Sequence, residues 1–265
     1  MRRRYLITGA SKGIGKEVAI LLAQRGCDVI LSARDTVQLH RISTLIETRY
    51  HVQASVMTVD YSSVESMTGL VEAIYKESNH LDGFISCVGY GQFEAAVDFS
   101  YDDISNMFQI NTIATMYITN LIAQKMIDQG SGHISLISSI AGKISTTHSS
   151  VYSASKFAII GYANSLRLEL LPLGIQITTI NPGPVSTSFF DASPTMNAYY
   201  QRVQQWALSP EKVAKNIVEN TLRNHPRREI NLPLWMHALV TLYNMAPSIG
   251  DNILTNLLNF KEESP

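Results

Sequence analysis

Tyr5-Leu6-Ile7-Thr8-Gly9-Ala10-Ser11-Lys12-Gly13-Ile14-Gly15 is the stretch that decides how this chain folds. Tyr5 to Thr8 is a short aromatic, apolar and β-branched run stopped by a glycine, which reads as a strand. After Gly13, Ile14, Val18, Leu21 and Leu22 fall at helical spacing, so a helix begins where the glycines end. In a strand, glycine turn and helix, the backbone can approach an anion closely. Glycine has no Cβ to hold the anion off, and the unpaired N–H groups and positive dipole of the helix N-terminus face it. The turn is therefore a candidate pyrophosphate cradle, with Gly9, Ser11, Lys12, Gly13, Ile14 and Gly15 as its candidate contacts.

Outward from this turn, strand-like runs recur near residues 4–8, 28–32, 53–59, 83–87, 133–137 and 175–180, each separated by enough chain for a helix. Such alternation implies right-handed crossovers and an α/β, doubly wound parallel sheet. Ligands bind beyond the carboxyl ends of its strands, where the glycine turn, Asp60, Gly89, Ser139 and Pro182-Gly183 would gather. The second run leads into Ala33-Arg34. An acidic residue near this point binds ribose hydroxyls, whereas an arginine suits a 2′-phosphate. Lys12 offers a second cation to a group of about −1.5 to −2 charge. The expected cofactor is NADP(H), with NAD(H) left possible.

Tyr152-Ser153-Ala154-Ser155-Lys156 places a tyrosine and a lysine four residues apart. If residues 150–170 form a helix, both project from one face and the ammonium lies near the phenol. A unit charge at about 4 Å in an effective dielectric near 20 contributes roughly 4 kcal/mol, enough to bring a phenol that titrates near ~10 close to neutrality. General acid/base catalysis works best there. Taken alone, the spacing equally describes a tyrosine at the core edge beside a solvated lysine.

In combination these motifs resemble the short-chain dehydrogenase/reductase superfamily, in the subgroup with a T-G-x-x-x-G-x-G turn and a Y-x-x-x-K active site. The likeness covers roughly residues 4–230. It is carried by the turn from Thr8 to Gly15, Val59-Asp60, Ser86-Cys87-Val88-Gly89, Asn111, Ser138-Ser139, Tyr152 with Lys156, and Asn181-Pro182-Gly183-Pro184-Val185 followed by Thr187. The resemblance implies a Rossmann-like sheet of seven strands in the order 3-2-1-4-5-6-7, with the last near 228–232. It also implies reversible hydride transfer between a nicotinamide and a carbonyl or alcohol. Ser139, preferred to Ser138 for its thirteen-residue interval to Tyr152, would hydrogen-bond the carbonyl oxygen. Tyr152 would deliver the proton, and Lys156 would bind the nicotinamide ribose and keep the tyrosine acidic. Asn111 would fix a water or kink the helix that links Lys156 to solvent. Asp60 would hold the adenine amino group, Tyr61 and Gly89 would border the cofactor, and Pro182, Gly183, Val185 and Thr187 would contact the carboxamide end.

The chain departs from the family's Asn-Asn-Ala-Gly at Ser86-Cys87-Val88-Gly89, keeping the glycine alone; Ser86 is expected to take over part of the work of supporting the sheet and bordering the cofactor. Three alternatives stand beside the reductase reading. Arg34 weighs against an NAD-dependent alcohol dehydrogenase, and the joint presence of Ser139, Tyr152, Lys156 and Asn111 weighs against a catalytically silent dinucleotide sensor. The turn spacing and short C-terminal part weigh against a sugar-nucleotide epimerase or dehydratase.

The 265 residues suit one domain spanning 1–265, and a net charge of −1 gives no reason to expect nucleic acid or another strongly charged partner. Cys27 and Cys87 are the two cysteines and are expected as buried apolar groups rather than a bridge. No spacing suggests a metal site. Met1-Arg2-Arg3-Arg4 is followed by only a few apolar residues before the glycine turn, so no targeting segment is read and the cytoplasm is the default compartment.

Residues 186–208 break the rhythm with no sustained period before Ser209-Pro210-Glu211 opens another helix. They form a candidate lid, in which Phe189, Phe190, Tyr199, Tyr200 and Trp206 would close an apolar pocket for a hydrophobic ketone or aldehyde. Packing against the last helices is the alternative. The C-terminal extension, 230–265, holds no Asp, Glu, Lys or Arg from Ile230 to Gly250. Pro233 and Pro247 bracket a run too short to span a bilayer. Three readings remain: packing over the substrate pocket or core, a subunit contact, and insertion into a membrane interface. The resemblance adds an expected homodimer or homotetramer.

Overall fold

Seven strands form one all-parallel sheet in the order β3-β2-β1-β4-β5-β6-β7, with helices on both faces. The structure is a computed structural model that describes residues 2–144 and 146–256. The strands are β1 (Arg4–Thr8), β2 (Asp28–Ala33), β3 (Ala54–Thr58), β4 (Gly83–Ser86), β5 (Gly132–Ile137), β6 (Ile175–Pro182) and β7 (Glu229–Leu232). Each expected strand is present, with ends displaced by a residue or two. β6 runs on to Pro182 because β7 pairs with it as far as Leu232.

Both faces of the sheet are buried, which is why its strands read as near-continuous apolar runs. On β1, Tyr5 and Ile7 point to one core and Leu6 to the other. The first core is closed by α1 (Gly13–Gln24), α2 (Thr36–Tyr50) and α8 (Pro210–Thr221). The second is closed by α3 (Val64–Glu77), α5 (Ala114–Gln129) and α6 (Ser150–Leu170), around the fully buried Phe84. A short α4 (Tyr101–Phe108) precedes α5. The helix expected over 150–170 and the cap at Ser209 are both present; the Ser209 hydroxyl accepts from the Lys212 N–H with Pro210 in the first turn.

Within residues 186–208 the chain forms a 3₁₀ turn (Ser188–Ala192) and then α7 (Pro194–Val203). α7 is a helix the periodicity did not reveal. Its start has the Ser-Pro signature read correctly at Ser209, with the Ser193 hydroxyl accepting from the Met196 N–H. After β7 come α9 (Leu234–Met245) and α10 (Pro247–Asn256). No helix of the described residues is long and apolar enough to cross a membrane. Residues 257–265, the end of the expected C-terminal extension, lie outside the described residues.

Candidate active site

The turn after β1 is shaped by backbone contacts. Gly9 has φ of +65°, and a Cβ built on it would lie 2.8 Å from the Cys87 carbonyl oxygen. A Cβ on Gly15 would lie 2.4 Å from the Gly9 carbonyl oxygen, a distance no side chain tolerates. Gly13, at φ +57°, faces the Thr187 methyl. Lys12 stands at the N-cap of α1 without a side-chain cap, so its own side chain leaves the first-turn N–H groups to a ligand. The turn has the room and the donors that a dinucleotide pyrophosphate needs.

The turn opens into a cavity of about 540 Å³, of the size that takes small molecules and cofactors. Of the expected site residues, Gly9, Ser11, Lys12, Gly13, Ile14, Gly15, Arg34, Tyr61, Gly89, Ser139, Tyr152, Lys156, Pro182, Gly183, Val185 and Thr187 all line it. Asp60 does not. Its exposed carboxylate accepts from the N–H and hydroxyl of Ser62. Those bonds, with the Arg34 guanidinium nearby, hold it below the usual carboxylate range. The side-chain role expected of Asp60 toward adenine has no support in this placement. Tyr61 lines the crevice and donates its hydroxyl to Ser32 Oγ at 2.8 Å. Ser86 is buried in the sheet, so the border expected of it falls to Cys87, Val88 and Gly89. Cys27 is buried, and both cysteines are free thiols. Burial pushes the Cys87 thiol up to about 12.

Asn111 lies behind the wall, at the centre of a π-helical turn (Gln109–Ile113) between α4 and α5. Such single π turns interrupt the regular α-helical hydrogen-bond ladder. Asn111 Oδ1 accepts from the Tyr90 N–H at 2.9 Å, and Nδ2 donates to the Tyr90 carbonyl and to Ser155 Oγ. Only Gly89 separates it from Lys156: a Cβ there would lie 3.1 Å from Asn111 Oδ1 and 3.2 Å from Lys156 Nζ. Lys156 Nζ donates to the Ile137 carbonyl at 3.3 Å.

Tyr152 and Lys156 share one face of α6, with the ammonium 5.8 Å from the centre of the phenol ring. Ser139 precedes a 3₁₀ turn (Ile140–Gly142); its Oγ accepts from the Ala141 N–H and reaches the Pro182 carbonyl at 3.4 Å. Ser138, the rival serine, is committed to the Lys156 carbonyl at 2.9 Å. The expected acidic phenol is not what the site holds. Burial pushes Tyr152 up to about 12, tempered by the Ser139 hydroxyl, and pulls Lys156 down to about 8. Both shifts disfavour charge in a dry site. The lysine that was expected to acidify the tyrosine is itself desolvated.

Aromatic side chains wall the far end. Phe93 packs edge-on against Tyr152 at 6.0 Å and Tyr199 at 5.4 Å, and Phe189 lies 5.7 Å from Tyr152. Phe190 stacks on Tyr200 at 5.0 Å, whose hydroxyl donates to Ser186. A Cβ on Gly91 would lie 2.5 Å from the tip of Phe189, so the two are in close contact at the edge of this wall. Tyr200 and Trp206, both expected in the lid, do not line the crevice. Sequence reading missed Phe93, which stands in no periodic segment. It also missed Asp35, which borders the crevice beside Arg34 and caps α2 by accepting from the Gln38 N–H at 3.0 Å.

Packing over the pocket explains little of the C-terminal segment. Met236 abuts Gly183 and Val240 is buried, but Leu234, Trp235, Leu239, Leu242, Met245 and Ile249 are exposed.

Comparison with known proteins agrees with this architecture. The family described as short chain dehydrogenase matches residues 3–198. A Helicobacter pylori protein named "Probable short-chain type dehydrogenase/reductase VdlC" is 28% identical over 258 residues, covering 92% of this chain and 93% of that protein. An uncharacterized oxidoreductase of Staphylococcus saprophyticus is 33% identical over 182 residues, 69% of this chain and 78% of its own. Among solved structures, a short-chain dehydrogenase/reductase from Burkholderia phymatum in complex with NAD superposes with a TM-score of 0.84 at 21% identity, over 94% of this chain and 95% of that one. A short-chain dehydrogenase from Sphingobium yanoikuyae in complex with NADPH gives 0.78 at 22% identity, over 96% of each chain. The chain belongs to the short-chain dehydrogenase/reductase superfamily.

Proposed function

We propose that this protein is an NADP(H)-dependent oxidoreductase that reduces hydrophobic ketones or aldehydes reversibly. The observation that carries the proposal is the convergence of Ser139, Tyr152 and Lys156 where the glycine-walled end of one crevice meets its aromatic end. A bound nicotinamide dinucleotide supplies or accepts the hydride. The chain's own residues bind, orient and move the proton. Ser139 Oγ hydrogen-bonds the carbonyl oxygen. Tyr152, a protonated phenol at neutral pH, donates its proton to that oxygen. Lys156 holds the nicotinamide ribose and, when charged, stabilises the phenolate left behind. Asn111, through Ser155 and the Tyr90 backbone, fixes the turn of helix beside the lysine. The walls formed by Phe93, Phe189 and Tyr199 exclude water and select apolar substrates.

For the cofactor, Arg34 and Lys12 line the crevice and provide the charge for a 2′-phosphate. Asp35 is the observation favouring the NAD-linked reading, since an acidic residue there would meet ribose hydroxyls. Its carboxylate is engaged in capping α2, which weighs for Arg34. The test is a panel of apolar ketones and aldehydes with NADPH, on wild type and Tyr152→Phe. The variant keeps the ring and loses the transferable proton, so kcat falls by roughly 10³-fold or more while nucleotide affinity is kept. A variant within a few-fold of wild type rejects the assignment.

The exposed face of α9 and α10 is the observation behind two finer proposals. One is a homodimer or homotetramer, read by size-exclusion with light scattering. The other is peripheral contact of a cytoplasmic protein with a membrane, read by flotation with neutral and anionic liposomes. Retention in the soluble fraction with both lipids removes the membrane proposal.

A further inference from the structure

We infer that Lys143 and Glu229 are a positioning pair, holding the loop that carries Ser139 in register with residues 182–183, the segment that the family resemblance gives to the carboxamide end of the nicotinamide. The inference rests on that reading of the crevice. The β6–β7 register sets Thr179 opposite Glu229 and Asn181 opposite Asn231. Strand alternation puts all four on one face, while Ile180 and Ile230 between them enter the core under α8. A polar ladder thus crosses the sheet edge directly beneath the Ser139 loop.

Glu229, Asn231 and Asn181 are joined one to the next, while Thr179 Oγ1 stands without a hydrogen-bond partner. Lys143 Nζ donates to Glu229 Oε2 at 2.6 Å, and Asn231 Nδ2 donates to the same oxygen at 3.3 Å. Asn181 Nδ2 donates to Asn231 Oδ1 at 2.8 Å. Asn181 is fully buried and immediately precedes Pro182, whose carbonyl faces Ser139 Oγ. Lys143 follows the 3₁₀ turn that Ser139 opens. The contacts therefore close a ring from Ser139 through Lys143, Glu229, Asn231 and Asn181 to Pro182 and back. The side chains of Lys143 and Glu229 are only 14% and 22% exposed. A pair this enclosed gains little stability over apolar residues of the same shape, because desolvation offsets its attraction. What the apolar pair would not supply is the direction of these bonds, and so the spacing between the serine loop and the nicotinamide segment.

The test needs no substrate. Wild type, the double variant Lys143→Met/Glu229→Leu, and Lys143→Arg are titrated with NADPH and with 2′,5′-ADP, which lacks the nicotinamide half; NADH and ADP-ribose serve if wild type prefers NADH. Thermal melts run alongside. The expected result is a double variant whose melting temperature stays within about 3 °C of wild type. Its affinity for the whole dinucleotide drops by about fivefold or more while fragment affinity is kept, and Lys143→Arg, which keeps a cation opposite Glu229, stays near wild type. Equal affinities for both probes in wild type and double variant overturn the inference and leave the proposed function standing, as do losses equal for both probes. A wild type that binds neither dinucleotide removes the proposed function and this inference with it. If the double variant does not fold, Glu229→Gln, which keeps the shape and drops the charge, is read in the same way.

Discussion

At one end of the crevice the wall is backbone; at the other it is aromatic side chain. The turn at Gly9, Gly13 and Gly15 works by what it lacks, since a Cβ on Gly15 would sit 2.4 Å from a carbonyl oxygen that cannot move without moving β1. The Phe93, Phe189 and Tyr199 end works by what it carries, and its one glycine, Gly91, faces the tip of a side chain that can turn aside. The first end tolerates one ligand shape and almost no substitution. The second can be recut residue by residue. The proposed chemistry sits between them, where a fixed cofactor meets an adjustable substrate wall.

The sharpest way to break this contrast is to add one methyl at each end. Gly15→Ala is expected to weaken nucleotide binding by roughly 100-fold, about 2.7 kcal/mol, and to lower the melting temperature, as read by fluorescence titration and a circular-dichroism melt. Affinity within threefold of wild type would mean that the turn is not the cradle. A second effect arises where the ends meet. kcat/KM for the nucleotide reports groups of the free enzyme. Lys156, pulled down to about 8, is charged below that pH and neutral above it. The profile therefore holds from about pH 6 to 8 and then falls up to about tenfold per unit. Tyr152, held protonated to about 12, does not set that limb. Lys156→Met removes the inflection, and a profile flat to pH 9.5 contradicts the desolvated lysine. The smallest effect is that of Gly91→Ala. Phe189 turns aside, so KM for an apolar ketone shifts by a few-fold, about 0.5–1 kcal/mol, with nucleotide affinity unchanged. Coupled losses at both ends would show that the wall is as rigid as the turn.

The same difference explains what the sequence made legible. The backbone-built end follows from residue types at fixed spacing: Thr8 to Gly15 and Arg34 after β2 were readable, as was the Tyr152/Lys156 face, whereas Asn111 was named by the family resemblance alone. So was the sheet, because strands buried on both faces announce themselves as apolar runs. The side-chain-built end depends on tertiary packing. Phe93 comes from an irregular loop, and α7 is too short to show a period, although Ser193-Pro194 marked its start. The direction of the Tyr152 shift was misread because sequence supplies the nearby charge but not the burial that competes with it. The bonds from Ser62 to the Asp60 carboxylate are local contacts that spacing does not reveal. α9 was half readable: its lack of charge was plain, but which of its apolar residues face outward was not.

The most direct measurement is titration of the purified protein with NADPH and NADH by nicotinamide fluorescence, on wild type and Arg34→Ala. NADPH is expected to bind wild type at least tenfold more tightly, about 1.4 kcal/mol, with Arg34→Ala erasing the gap by weakening NADPH alone. Equal binding of the two nucleotides by wild type, or a preference untouched by the substitution, would contradict it.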